Sequence, residues 1–191
     1  MCKAGLASMC YFYFDFKDTS KRDIRSLLIS LLDQLCDQSD HSWCLLSQLY
    51  ATHRNSAEQP SEPELIECLG EMLNVQGQPP IYIIVDAVDE CPNTPCTSSP
   101  RERVVNLIER LVKLRFSNVR VLATSRPEHD IQPVLESLAS HRICLHDQSG
   151  QKNDIISYVE LFVNSHKATR RWRAEDKVLV IGMLSERANG M

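Results

Sequence analysis

Three carboxylates follow directly on a strand-sized apolar run in this chain. The stretch reads Ile81-Tyr82-Ile83-Ile84-Val85-Asp86-Ala87-Val88-Asp89-Glu90-Cys91, with Asp86, Asp89 and Glu90 inside five positions. A buried strand has no structural need of such a cluster. In open α/β sheets, however, ligands bind outside the carboxyl ends of the strands, where Asp86 falls. A carboxylate there can hold Mg²⁺ directly or through water, while the strand behind it fixes its position. Asp89 and Glu90, on the following loop, can orient or deprotonate a water beside a phosphate, which makes them the candidate catalytic pair. Asp is common in turns for local reasons. The doubled acid in DAVDE is what lifts the stretch above an ordinary strand end.

A second group lies at the end of another strand-like run, Leu122-Ala123-Thr124-Ser125-Arg126-Pro127-Glu128. It offers two hydroxyls, Thr124 and Ser125, and a guanidinium, Arg126, and Pro127 keeps the strand from continuing. An arginine beside the Asp86 strand can sense a γ-phosphate through charge-assisted hydrogen bonds. The plainer alternative is an exposed arginine or an ion pair with Glu128. An apolar strand, a metal-binding acid and a water-positioning acid are the physical content of a Walker B motif. A hydroxyl and arginine pair with one helix in between supports that assignment.

Positioning these groups requires strands separated by helices. Cys10–Phe16 is aromatic-rich and strand-like. A helix is expected from the Ser20-Lys21-Arg22-Asp23 capping box, with Ile24, Leu27, Leu28, Leu31 and Leu35 at helical spacing. Trp43–Tyr50 reads as a short helix. Another starts at Ser61-Glu62-Pro63-Glu64 and runs toward Gly77. The near-continuous apolar run Ile81–Val85 predicts a strand buried on both faces. A helix starts at Ser99-Pro100-Arg101-Glu102, and strand Val119–Thr124 follows. Ile131–Leu138 reads as a helix and His141–Leu145 as a fourth strand. Two helices, Asp154–Val163 and Ala174–Arg187, complete the chain. Strands alternating with helices long enough to cross over predict a parallel α/β sheet flanked by helices. Residues 1–150 form the expected core and 151–191 the start of a C-terminal helical region.

Bulk properties fit one ordinary core in 191 residues: 43% hydrophobic, 24% charged, net charge −4, pI near 5.9. That mild acidity gives no general attraction to nucleic acid or anionic membrane, so neither is expected as a partner. The cluster Lys167, Arg170, Arg171, Arg173 is the exception and reads as a solvated linker between helices. No apolar run reaches the roughly 20 residues of a membrane helix, and no secretory leader pattern opens the chain. The eight cysteines are therefore expected reduced, in a cytoplasmic protein: Cys36, Cys44 and Cys68 on helices, Cys144 on a strand. Cys91 and Cys96 lack a second pair at zinc spacing, so no zinc site is expected.

Taken together, IYIIVDAVDEC and VRVLATSRPE resemble the nucleotide-binding core of NACHT-type STAND P-loop NTPases. They resemble in particular the nephrocystin-like NACHT modules of large fungal receptor-like proteins. FYFDFKD with its leucine-rich helix, DIISYV at 154–159 and RANGM at 187–191 support this resemblance. The resemblance implies a signalling switch using ATP and Mg²⁺: Asp86 as metal ligand, Asp89 or Glu90 positioning water, and Thr124, Ser125 and Arg126 at the phosphate. It also implies flanking domains as partners, ankyrin, WD or other repeats among them, and a capacity to form homo-oligomers.

Family members also carry GxxxxGK[ST]. None of Gly5, Gly70, Gly77, Gly150, Gly182 or Gly190 opens such a loop, so the amides and lysine that cradle phosphates are not in this sequence. The expectation is a P-loop NTPase-like core missing its first, central strand and its phosphate loop, an internal fragment or truncated gene product. In the family's strand order, 5-1-4-3-2, that loss leaves unpaired edges. A non-catalytic interaction module with a degenerate NTPase fold is the competing reading. A cysteine hydrolase using Cys91 with His129 or His146 is a third, weakened by the lack of any strained nucleophile turn around Cys91.

Overall fold

The computed structural model describes residues 6–53, 59–94, 99–144 and 149–187. The chain forms two compact units, Met1–Ala139 and Ser140–Met191. In the first, strands β1 (Ser8–Tyr13), β2 (Ile81–Asp86) and β3 (Val119–Ala123) make one parallel sheet in the order β1-β2-β3. The register sets Tyr13 beside Asp86 and Val85 beside Ala123, so the strands end together. Helices α1 (Ile24–Cys36), α2 (Asp40–His53) and α3 (Glu62–Leu73) connect β1 to β2. Helix α4 (Pro100–Lys113) connects β2 to β3, and α5 (Gln132–Leu138) follows. The second unit holds α6 (Ser149–Ser165) and α7 (Ala174–Arg187). The expected parallel α/β core with flanking helices is what forms.

Caps explain the starts of α1, α3 and α4. Helix α1 begins later than the Ser20 box predicts. Ser20 instead bonds Asp18 through its amide at 2.9 Å and its hydroxyl at 2.6 Å, closing a 3-10 turn over Thr19–Lys21. Asp23 then caps α1 by accepting from the Ser26 amide at 2.8 Å. At α3 the box is as expected: the Glu64 carboxylate accepts from both the amide and the hydroxyl of Ser61, at 2.7 and 2.6 Å. That helix stops at Leu73, short of Gly77, because the Gln78 side-chain amide donates to the carbonyls of Met72 and Leu73 at 3.2 and 3.0 Å. Ser99 caps α4 by accepting from Glu102 N at 3.1 Å.

The core is one cluster on one side of the sheet. Cys10 and Phe12 from β1 and Ile81, Ile83 and Val85 from β2 meet Leu27, Leu28 and Leu31 of α1, Leu65 and Leu69 of α3, and Val104 and Ile108 of α4. Side chains alternate along a strand, so Met9, Tyr11, Tyr13, Tyr82 and Leu122 point to the other face, where all are exposed. The expectation that β2 is buried on both faces is therefore corrected. Parallel strands laid down in sequential order by right-handed crossovers carry every crossover helix on the same face. An apolar run alone does not reveal that order.

The two sheet edges differ. At β1, Gln38 accepts from Met9 N at 2.9 Å and donates to Met9 O at 2.8 Å, and Gln34 does the same for Tyr11 at 3.1 and 2.8 Å. Two side-chain amides four residues apart, Gln34 on α1 and Gln38 in the turn that follows it, thus stand in for a neighbouring strand. No ladder pairs the far side of β3 among the described residues. The predicted strand at 141–145 is also corrected: residues 141–144 form no strand, Cys144 included, and Leu145 lies outside the described residues. A β-branched, apolar run becomes a strand only when a partner accepts its hydrogen bonds.

Candidate functional site

The carboxyl ends of β2 and β3 are laced together at one rim. Thr124 N donates to Val85 O, Val88 N donates to Thr124 O, and Ala87 N donates to the Thr124 hydroxyl oxygen, at 3.0, 3.0 and 2.9 Å. The Thr124 hydroxyl in turn donates to Asp86 Oδ1. Ala87 makes this possible by taking the left-handed conformation, with φ 54. A non-glycine residue there carries strain, and such residues concentrate at functional sites.

Beyond Ala87 the chain makes a single 3-10 turn, Val88–Glu90. Val88 is fully buried and fixes that turn against the core. Asp89 reaches across to the β3 loop. Its Oδ1 accepts from Arg126 N at 3.0 Å and its Oδ2 lies 3.6 Å from Arg126 Nε. The Asp89 side chain is only 10% exposed and that of Arg126 74%, so the acid is held and the guanidinium faces solvent. The ion-pair partner of Arg126 is thus Asp89. Glu90 Oε2 accepts from Phe16 N at 3.2 Å, tying the loop after β1 to the same rim. The Ser125 hydroxyl donates to Arg126 O at 2.7 Å.

Asp89, Glu90 and Arg126 line a cleft of about 410 Å³ with Phe16, Arg22, Cys91, Pro92, Arg101 and Glu128, whereas Asp86, Thr124 and Ser125 are not part of its lining. Arg101, at the start of α4, donates to Asp89 O and to Cys91 O, and ion-pairs with Asp130 at 3.4 Å. It braces the acidic turn from below. Arg22 donates to Phe16 O, and its Nε is buried with no partner among the described residues. Neither arginine stands out in the sequence, because one reads as a helix start and the other as a helix cap.

Asp86 is exposed, takes one hydroxyl on Oδ1, and has no cationic partner among the described residues. That donor set suits a hard divalent cation. Of the groups expected at a phosphate, the Arg126 guanidinium faces solvent, while the Thr124 and Ser125 hydroxyls donate to Asp86 and to Arg126 O; the run of amides and lysine that holds a triphosphate is not in the sequence. Among the described residues no group of three or more metal-ligating side chains comes together. Cys96 and His146 lie outside the described residues.

Cys91 has the wrong environment for a nucleophile. It is fully buried, donates to Arg22 O at 3.3 Å, and burial pushes its thiol up to about 12. His129 is exposed.

The fold and site define the class: a parallel α/β domain with acids and an arginine at the same strand-end rim. A family model narrows it: the model described as Nephrocystin 3, N-terminal matches residues 2–126, and the chain belongs to that family. The match takes in all three strands and ends on Arg126. Among curated proteins and among solved structures nothing matches the chain. No helix among the described residues is long and apolar enough to cross a membrane.

Proposed function

We propose that this chain is the metal-and-water half of a NACHT-type, nucleotide-dependent signalling switch in the cytoplasm. The observation that carries the reading is the rim itself: Asp86 and Asp89 of one strand end meet Thr124 and Arg126 of its parallel neighbour, and Glu90 follows on the same turn, held by Phe16 N. Asp86 is the Mg²⁺ ligand, oriented by the Thr124 hydroxyl. The ion supplies charge neutralisation on phosphate oxygens. Glu90 positions water, since its second carboxylate oxygen is not engaged by Phe16. Asp89 holds the Arg126 backbone so that the exposed guanidinium can reach a terminal phosphate.

The sequence holds no GxxxxGK[ST], so this chain alone is expected to show no low-micromolar affinity for ATP–Mg²⁺ by isothermal titration. Joined to a strand–loop–helix segment bearing that motif from a family relative, it should hydrolyse ATP. Asp86→Ala in the joined protein should remove the activity, a loss of at least about a hundredfold for an essential charge-stabilising group. An inert joined protein, indifferent to Asp86→Ala, leaves the non-catalytic interaction module in possession of the fold. One observation favours that second reading: Asp89 and Arg126 neutralise one another in the structure.

A further inference from the structure

The unit Ser140–Met191 presents a basic turn between α6 and α7, and that turn is built rather than slack. Thr169 is 6% exposed, with its hydroxyl 2.7 Å from Val163 O and 3.0 Å from His166 O. Trp172 N donates to Thr169 O, and Lys177 N to Arg173 O, both at 3.1 Å. Lys167, Arg170, Arg171 and Arg173 all stand exposed on this frame, without an ion pair among the described residues. Trp172 is exposed among them.

From the turn an apolar ridge runs along α6. Tyr158, Phe162 and His166 stack at one-turn intervals, with ring centroids 6.3 and 4.7 Å apart, and Leu161 is 69% exposed beside them. Helix α7 likewise exposes Val178, Leu179 and Met183. Inward, Val163 is buried. Each helix thus keeps an apolar surface that its partner helix does not cover.

We propose that the α6–α7 hairpin docks an acidic amphipathic helix of a partner protein. The partner's carboxylates meet the basic turn, and its apolar face covers Tyr158, Leu161 and Phe162. Charge complementarity selects this partner. Residues 140–191 carry eight Lys and Arg against six Asp and Glu, whereas residues 1–139 carry thirteen against nineteen. The excess is concentrated at one end of the ridge, while Asp154, Glu160, Glu175, Asp176 and Glu186 lie along the two helices. A uniformly anionic surface, such as a lipid bilayer or RNA, is matched by the turn alone and gains nothing from helices that carry these acids. A helix with acids at one end and apolar residues along one face meets both the turn and the ridge.

The test is fluorescence anisotropy on the full chain. The probe is a labelled synthetic helix of about five turns with Leu along one face and Glu in its terminal turns. Binding is expected, weakening with added NaCl, and Arg170→Glu with Arg171→Glu should cost about tenfold or more in Kd. Leu161→Ser with Phe162→Ser should weaken binding by a similar factor without altering its salt dependence. All four positions are exposed, and circular dichroism checks that the helices persist. The proposal is overturned by equal binding of a peptide with Lys in place of Glu, or by indifference to the charge reversals. Tighter binding to phosphatidylserine vesicles or poly(U) also overturns it. So does self-association in sedimentation velocity that the same substitutions abolish, which would make the occupant a second copy.

Discussion

Ala87 decides how the acids at the end of β2 are used. Its left-handed backbone turns the chain so that Asp86 stays at the strand tip while Asp89 swings onto the β3 loop. A left-handed conformation costs an alanine about 1–2 kcal/mol, and glycine in its place brings an added ordering cost of about 0.5–1 kcal/mol. Ala87→Gly should therefore raise stability by about 0.5–1 kcal/mol, read as a higher urea midpoint at unchanged slope. A lower midpoint would mean that the methyl group, and not the turn, matters there. This residue also marks where sequence reasoning stops. That Asp86 and Arg126 share a rim follows from parallel strands ending in register, which periodicity and spacing reveal. That Asp89 is engaged by Arg126 depends on a positive φ at an alanine, and nothing in the identity of alanine announces it. Arg101 was equally hidden, since its role comes from where α4 starts relative to a loop far away in sequence.

At the level of elements, side chains that close backbone groups set the limits of the fold. Gln34 and Gln38 are the clearest case, because their amides occupy the open edge of β1. Each hydrogen bond contributes about 0.5–1.5 kcal/mol net, and water can replace them at this exposed edge. The double change Gln34→Ala with Gln38→Ala should thus cost only about 1–2 kcal/mol while exposing Met9 and Tyr11 backbone to other chains. Light scattering on standing should rise more than the melting temperature falls. Glu64 supplies a pH-dependent counterpart. Hydrogen bonds from the Ser61 hydroxyl and amide, aided by nearby His53, hold its carboxyl below the usual 4.5. A group whose folded pKa is depressed stabilises above its unfolded value, and that contribution is lost as pH falls below about 4.5. Glu64→Gln should flatten this part of the acid unfolding curve by lowering stability at neutral pH, leaving stability below the carboxylate range nearly as it was. The capping box that starts α3 was legible from Ser61 and Glu64 alone. The start of α1 was not, because Ser20 and Asp23 sit three apart as a box requires, yet Asp18 competes for Ser20 from outside the motif.

Across the whole molecule the strand order matters most. A sheet laid down as β1-β2-β3 with right-handed crossovers buries one face and leaves the other bare, whatever the hydrophobicity of its strands. The bare face carries Met9, Tyr11, Tyr13, Tyr82 and Leu122, next to the side of β3 that no strand among the described residues pairs. Parallel sheets are ordinarily covered on both faces, so the alternatives are a single-sided sheet and a second face that is covered in solution. Two leucines of the first unit separate the possibilities. Leu28 is fully buried beneath the covered face, and Leu28→Ala should cost about 2–5 kcal/mol. Leu122 is 56% exposed on the other face. Leu122→Lys should change stability by no more than about 0.5 kcal/mol and, by placing charge on the bare sheet, should reduce aggregation on heating. Urea midpoints and static light scattering on the two variants read both quantities. If Leu122→Lys lost as much stability as Leu28→Ala, the second face would have to be covered in solution, and the single-sided sheet would not describe the folded chain.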